Sequence, residues 1–234
     1  MPYRLVQFAA GVPVWVGVVN VLGDVLWLVA YILIIRQGFK DRTYGVPMLC
    51  VALNFTWEFI YAIQFPFPIT IIEALRWAWL LTDAVIVYQL FRYGRDSQTV
   101  PLIKQYFFPI AIAMFASTYI AQLTFHYSYS SIDNWGGLDA YMINLVMSIL
   151  FVFLYFSRPG LQGISLGAAW AKMLGTGVLS LGSCFLITDW VKSGFMVYLF
   201  LTIFVIDVTY IVLLYRARAA AAGRAGDRGI LTAA

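Results

Sequence analysis

Charge is scarce in this sequence. Only 11% of its 234 residues are charged, and eleven are acidic. A soluble domain carries about 25% charged and about 45–50% apolar residues. Here 62% are hydrophobic and the mean hydropathy is +0.84, which excludes an ordinary soluble domain. Histidine occurs once, as His126, so a histidine-based metal centre is not expected, and no metal site is assigned. His126 itself is read into a loop. Two cysteines, Cys50 and Cys184, form neither a CxxC pair nor a metal-ligand spacing and are expected as buried free thiols. The net charge of +4 does not point to nucleic acid, because the basic residues fall beside apolar runs, as topology signals do. Residues 1–11 hold one Arg and no small-residue cleavage site, so the first apolar run is read as structure, not as a signal peptide.

What the sequence does contain is long apolar runs. A spanning helix needs about 20 mostly apolar residues. Seven runs qualify: 12–35, 44–65, 69–91, 107–126, 138–156, 164–187 and 194–215. The predicted fold is therefore all-α, a seven-transmembrane-helix bundle over residues 1–216. An Ala/Gly/Arg-rich tail over 217–234 is expected to be disordered and cytoplasmic. Pro66 and Pro68 mark the second connection, and Pro159 with Gly160 marks the fifth. Arg36, Lys40, Arg42, Arg92, Arg95, Lys104, Arg158, Arg216, Arg218, Arg224 and Arg228 fall on one side of the bundle. Only Arg4 and Lys192 fall on the other. This bias places the N-terminus outside and the C-terminus in the cytoplasm. The outer loop Tyr127–Leu138, with Asp133, Asn134 and Trp135, fits either a cap over a cavity or an interfacial aromatic belt.

Four of the eleven acids, Asp24, Glu58, Asp83 and Asp207, lie inside these runs. A carboxylate at the centre of a span costs at least ~2.5–3.5 kcal/mol, so each is a functional candidate. Desolvation favours the neutral form of a carboxyl, and a neutral acid can donate a proton. A rise of ~1.5 Å per residue puts Glu58 about 21 Å and Asp207 about 12 Å above the cytoplasmic ends of their spans. Asp24, Asp83 and Asn144 fall in the same middle slab. On span two, Asn54, Glu58 and Tyr61 follow i, i+4, i+7 and share a face with Trp57 nearby. Asn20, Asp24, Trp27 and Tyr31 form a similar stripe on span one. Arg76, Trp79 and Asp83 do so on span three, and Phe204, Asp207, Tyr210 and Leu214 on span seven. Acids mixed with aromatics describe the wall of a mostly apolar ligand pocket better than a small-residue helix interface.

Structural roles compete with this reading. Asp83 can be an ion-pair partner of Arg76 or Lys172. Asp24 with Asn20 can serve interhelical hydrogen bonding. Lys172 lies at the depth of Asp207, and an ion pair there would weaken Asp207 as a proton donor. Glu58 has no cation fixed near it in sequence, and Asn54 is its expected hydrogen-bond partner.

The segment Leu53-Asn54-Phe55-Thr56-Trp57-Glu58-Phe59-Ile60-Tyr61 resembles the Asn-x-x-Trp-Glu segment of the small integral-membrane terpene cyclases of meroterpenoid and indole-terpenoid biosynthesis. Phe204–Ile211, around Asp207, is similar to that family's second acidic segment, and Trp79–Val87 also looks like it. The resemblance implies an isomerase- or lyase-type enzyme. Such an enzyme protonates the terminal epoxide of a prenylated aromatic or indole substrate and directs carbocation cyclisation. It implies Glu58 and Asp207 as the catalytic pair and no cofactor. Asn54, Trp57, Tyr61, Trp79, Asp83, Asn144, Tyr210 and Asp24 are the candidate substrate-binding residues. The expected partners are that lipophilic substrate and the lipid bilayer. Composition of the tail favours a bacterial plasma membrane over a fungal endoplasmic reticulum. The rival reading is a small proton-coupled transporter, although the two halves show no repeat. A retinal protein is excluded, because span seven lacks the lysine a Schiff base requires.

Overall fold

The computed structural model describes residues 13–67, 70–186 and 193–231, and every regular element among them is helical. The long helices are α1 (Val14–Asp41), α2 (Met48–Phe59), α3 (Thr70–Tyr93), a short α4 (Pro101–Gln105), α5 (Phe107–Tyr129), α6 (Gly137–Ser157), α7 (Leu166–Leu186) and α8 (Gly194–Leu231). Apart from α4, these fall on the seven predicted runs. Four of them, α1, α5, α6 and the first part of α8, are long and apolar enough by themselves to cross a bilayer. The apolar character of α3 is interrupted by Glu73, Arg76 and Asp83, and that of α7 by Lys172 and its Gly, Ser and Thr residues. Arg4, Lys192 and Pro68, used above for topology and punctuation, lie outside the described residues, as does the stretch read for a signal peptide.

Two expectations about local structure need correction. Segment 217–231, expected as disordered, continues α8 as helix. Its alanine run has the highest intrinsic helix propensity of any residue type. His126 is not in a loop, because α5 carries it inward and runs on to Tyr129.

The helices close into a ring. α1 packs against α7 and α3, α3 against α2, α2 against α6, α6 against α8, and α8 against α7. α5 lies outside this ring, against α2. The α1–α7 contact is the most extensive, and glycine explains it. A methyl group on Gly23 or Gly175 would sit 3.1 Å from the other's carbonyl oxygen. Small residues let two backbones approach so closely, which matters in lipid, where water does not drive helices together. The outer face is apolar: Leu201, Phe204 and Val205 on α8 and Ile112 and Ile120 on α5 are exposed. Phe204, at 52% exposure, therefore leaves the stripe expected on span seven. Asp207, Tyr210, Ile211 and Leu214 form the inward face instead.

One end of the ring is tied shut. Arg158, after α6, donates to Thr43 Oγ1 and lies 4.5 Å over the Tyr44 ring. Gln98 donates to the Tyr44 hydroxyl at 2.8 Å, and Thr43 and Ser97 share a hydrogen bond of 2.9 Å. Three connections thus meet around one buried cation. The opposite end holds the cavity.

Candidate active site

A cavity of about 660 Å³ runs inward from that opposite end. α1 supplies its longest wall, from Val14 through Asn20, Asp24 and Trp27 to Tyr31. From residue 14 to 31 an ideal helix rises ~26 Å, so the space is deep. α2 contributes Asn54, Trp57 and Glu58, and α3 contributes Arg76 and Trp79. Tyr141, Asn144 and Met147 come from α6, and Thr176, Leu179 and Ser183 from α7. Ile132–Trp135, in the loop before α6, cover the outer part. That loop therefore lies on the cavity, the first of its two alternatives. The volume falls in the range usual for small-molecule sites.

The loop is held by buried polar contacts. Asp133 Oδ1 accepts from the Gly137 backbone at 2.7 Å and Oδ2 from the Asp139 backbone at 3.1 Å, which satisfies free N–H groups at the start of α6. Burial pushes the Asp133 carboxyl above the usual carboxylate range, and these backbone bonds oppose that rise. Arg76 donates to the carbonyls of Tyr61 and Trp135, each at 2.9 Å. The Tyr61 carbonyl is free because α2 ends in a π-helical turn, Ile60–Gln64, whose next donor would be Pro66, which has no N–H. The guanidinium also lies over the rings of Trp57, Tyr61 and Phe67 at 5.7, 5.7 and 5.1 Å. Trp57 Nε1 donates to the Gly136 carbonyl at 2.9 Å. Gly136 has φ +75°, and a Cβ there would lie 2.4 Å from the Tyr61 ring, so glycine is required.

At the inner end sits Glu58, 2% exposed. Its Oε1 accepts from the Tyr31 hydroxyl at 2.9 Å, and that hydroxyl accepts from Asn54 Nδ2 at 2.8 Å. Asn54 thus reaches Glu58 through Tyr31, not directly as expected. Glu58 Oε2 is buried and has no hydrogen-bond partner among the described residues. Asp83, 1% exposed, lies close enough for its charge to act on Glu58. It forms no ion pair among the described residues, because Arg76 and Lys172 are engaged elsewhere. The aromatic wall is continuous here: Trp57 lies 6.4 Å from Trp79, and Trp27 meets Tyr31 edge-on at 5.9 Å.

The other predicted residues are distributed as follows. Asp24, Asn54, Trp57, Trp79 and Asn144 line the cavity with Glu58. Asn144 donates to Thr176 Oγ1 at 2.9 Å. Asn20 bonds to the Val16 carbonyl of its own helix, at 2.8 Å, and makes no bridge with Asp24. Tyr61, Asp83, Tyr210 and Asp207 stand behind the wall. Tyr61 packs on Trp57 at 5.0 Å, and its hydroxyl lies 3.3 Å from His126 Nδ1. Asp207 receives Lys172 Nζ on both oxygens at 2.8 Å, and the third Lys172 proton goes to Ser148 Oγ at 2.7 Å. Lys172 Nζ lies 5.7 Å over the Trp27 ring, whose other surroundings include the cavity. In sequence Tyr31 is only a member of a stripe, and Arg76 is a stripe member and a possible partner of Asp83. Their partners lie on other elements, and helix rotation is not written in one sequence.

No solved structure matches this chain. Sequence comparison is more informative. The chain is 28% identical to terpene cyclase pyr4 of Aspergillus fumigatus over 222 residues, covering 89% of this chain and 88% of that one. It is 28% identical to terpene cyclase macJ of Penicillium terrestre, over 70% and 64% of the two chains. Terpene cyclase cle7 of Aspergillus versicolor is 29% identical, over 68% and 66%. These relatives are fungal and give no support to the bacterial membrane inferred from the tail. The profile of the Pyr4-like transmembrane terpene cyclases matches residues 9–220. By sequence, then, the chain belongs to the Pyr4-like transmembrane terpene cyclases and is an enzyme of that class.

Proposed function

We propose that this enzyme protonates the terminal epoxide of a prenylated aromatic or indole substrate and guides the resulting cations through ring closure. The observation that carries the reading is Glu58: a buried carboxyl on an aromatic cavity, one oxygen clamped by Tyr31 and the other unpartnered. The Tyr31 hydroxyl donates, so Oε1 is the accepting oxygen and Oε2 is left to carry the proton. That proton passes to the epoxide oxygen, and the C–O bond to the more substituted carbon breaks. An alkene attacks the cationic carbon, each closure moves the charge onward, and loss of one proton ends the cascade. One proton is taken up and one released, so the product is an isomer of the substrate.

The surroundings suit each stage. A general acid within reach contributes about 10²–10⁴-fold. Trp27, Trp57 and Trp79 present ring faces, and an aromatic face stabilises a cation by about 0.5–2 kcal/mol without offering a nucleophile. The Tyr31 hydrogen bond stabilises the Glu58 carboxylate once the proton has gone. Asp207 enters this scheme through Lys172: it compensates a buried ammonium that would otherwise stand against Trp27 and oppose cation formation nearby. The bundle crosses the bilayer seven times, with the cavity end outside and the Arg158 end in the cytoplasm. The cation bias supports this orientation.

Membranes containing the protein are expected to convert an epoxy-prenylated indole or phenol to a cyclised product of equal mass. Uptake of the unchanged substrate into sealed vesicles, with no isomer formed, would instead support a carrier. Absence of any isomer from both head groups would contradict the proposal.

A further inference from the structure

Asp24 is a second acid on the cavity, and the mechanism above does not use it. Its residue is 8% exposed, and its carboxyl accepts no hydrogen bond from any described residue. The backbone at this position is satisfied differently, since Trp79 Nε1 donates to the Asp24 carbonyl at 3.2 Å. The side chain thus lies on the wall with its acceptor oxygens uncommitted among the described residues. An acceptor that faces the cavity with no protein donor is available to a ligand that brings one, and a ligand that covers it without a donor leaves it buried and unpaired, at a cost of about 1–3 kcal/mol.

Position narrows what that ligand group is. Asp24 stands seven residues outward from Tyr31 on one helix, ~10 Å along the axis. If Glu58 at the inner end meets the epoxide terminus, Asp24 meets a part of the substrate nearer its other end. Polar groups lie around Asp24 as well. Arg76 lies near enough to act on its charge, and so does Asp24 on Tyr141 across the cavity. Asn20 and Ser183 lie further outward. Arg76 carries only donors and cannot serve as the ligand's acceptor; its two terminal nitrogens each donate to a backbone carbonyl.

From this we infer that the outer half of the cavity is a head-group site in which the Asp24 carboxyl accepts a hydrogen bond from an N–H or O–H of the substrate's aromatic ring system. The inference rests on the proposed orientation, with the epoxide at Glu58. It adds a substrate class: head groups bearing a free donor are bound, and those without one are discriminated against. A site built around an acceptor rejects a ligand lacking the donor, because the acceptor then stays buried and unpaired.

The test reads binding, so it does not depend on which residue delivers the proton. Dissociation constants are measured for an epoxyprenyl phenol and for the same chain on a benzene ring lacking the hydroxyl. The phenol is expected to bind the wild type roughly tenfold or more tightly than the benzene. Asp24→Leu is expected to remove that gap by weakening the phenol alone, and Asp24→Asn, which keeps one acceptor oxygen, to retain part of it. Equal affinities in the wild type, failure of both to bind, or equal weakening of both by Asp24→Leu would overturn the inference. The wild-type comparison stands even if a variant does not fold. An enzyme that cyclises both probes but binds them equally would lose this inference and keep the proposed reaction. Unaltered affinities in Asp24→Leu with a changed ratio of cyclised products would overturn it in favour of a terminating base.

Discussion

The Tyr31 hydroxyl has one proton to donate, and its direction decides which Glu58 oxygen is free. Asn54 donates to it, so the proton must point to Oε1. Tyr31→Phe keeps the ring against Trp27 and removes only this bond. It is expected to lower kcat by roughly 10–100-fold, the scale of a hydrogen bond to a charged group, with KM within about twofold. A KM increase with unchanged kcat would mean that Tyr31 only shapes the pocket. Asn54→Leu should act in the same direction, and the double variant should be little worse than Tyr31→Phe, because the two side chains form one chain of bonds. At this scale the sequence was partly legible. The i, i+4 spacing put Asn54 and Glu58 on one face, but the Tyr31 bond joins residues 27 apart on different helices. The four-residue spacing suggested a direct contact, and the intervening hydroxyl replaced it.

Among the elements, α7 and α8 carry a charge pair that the cavity does not touch. Lys172 and Asp207 are 5% and 4% exposed, and all three ammonium protons are bound. Breaking a buried pair by removing one partner is strongly destabilising, by about 3–5 kcal/mol, whereas replacing both can be neutral. Asp207→Asn is therefore expected to lose most turnover and folded yield. Combining it with Lys172→Met should recover both in part. Loss of turnover that Lys172→Met does not relieve, in a folded protein, would make Asp207 a proton-transferring group instead. The pairing was foreseeable from helical depth, since the rise per residue places both at one level. The inward face of α8 was less so: with apolar residues on every side, Phe204 and Ile203 look alike in sequence, and only packing turns one to lipid. The π-helical turn after Glu58 ends before Pro66 and leaves its Tyr61 carbonyl to Arg76, 15 residues on and on the next long helix. Gly136→Ala should destabilise the cap over the cavity, because a Cβ there meets Tyr61 and the backbone has positive φ. Thermal unfolding in detergent checks it, and an unchanged midpoint would contradict the tight packing.

For the molecule as a whole, the ring of helices separates two solvents. Its outer surface offers Leu, Ile, Val and Phe to lipid, one end is closed around Arg158, and the other opens into the cavity. The apolar runs announced an all-helical bundle, because backbone satisfaction in lipid leaves helices as the only option for such segments. The order of helices around it was not readable, since contacts such as Gly23 with Gly175 depend on tertiary fit. Orientation has its own test. A protease-sensitive tag fused after Ala234 should be cut in inverted vesicles and protected in right-side-out ones, and the reverse pattern would contradict an outward-facing cavity. The central claim concerns one proton. Glu58→Gln preserves shape but replaces the carboxylic O–H, and its turnover of an epoxy-prenylated substrate can be measured beside wild type at equal folded yield. At least a 100-fold loss of cyclised product, with substrate still bound, is predicted. Cyclisation at the wild-type rate would contradict the assignment of Glu58 as the acid.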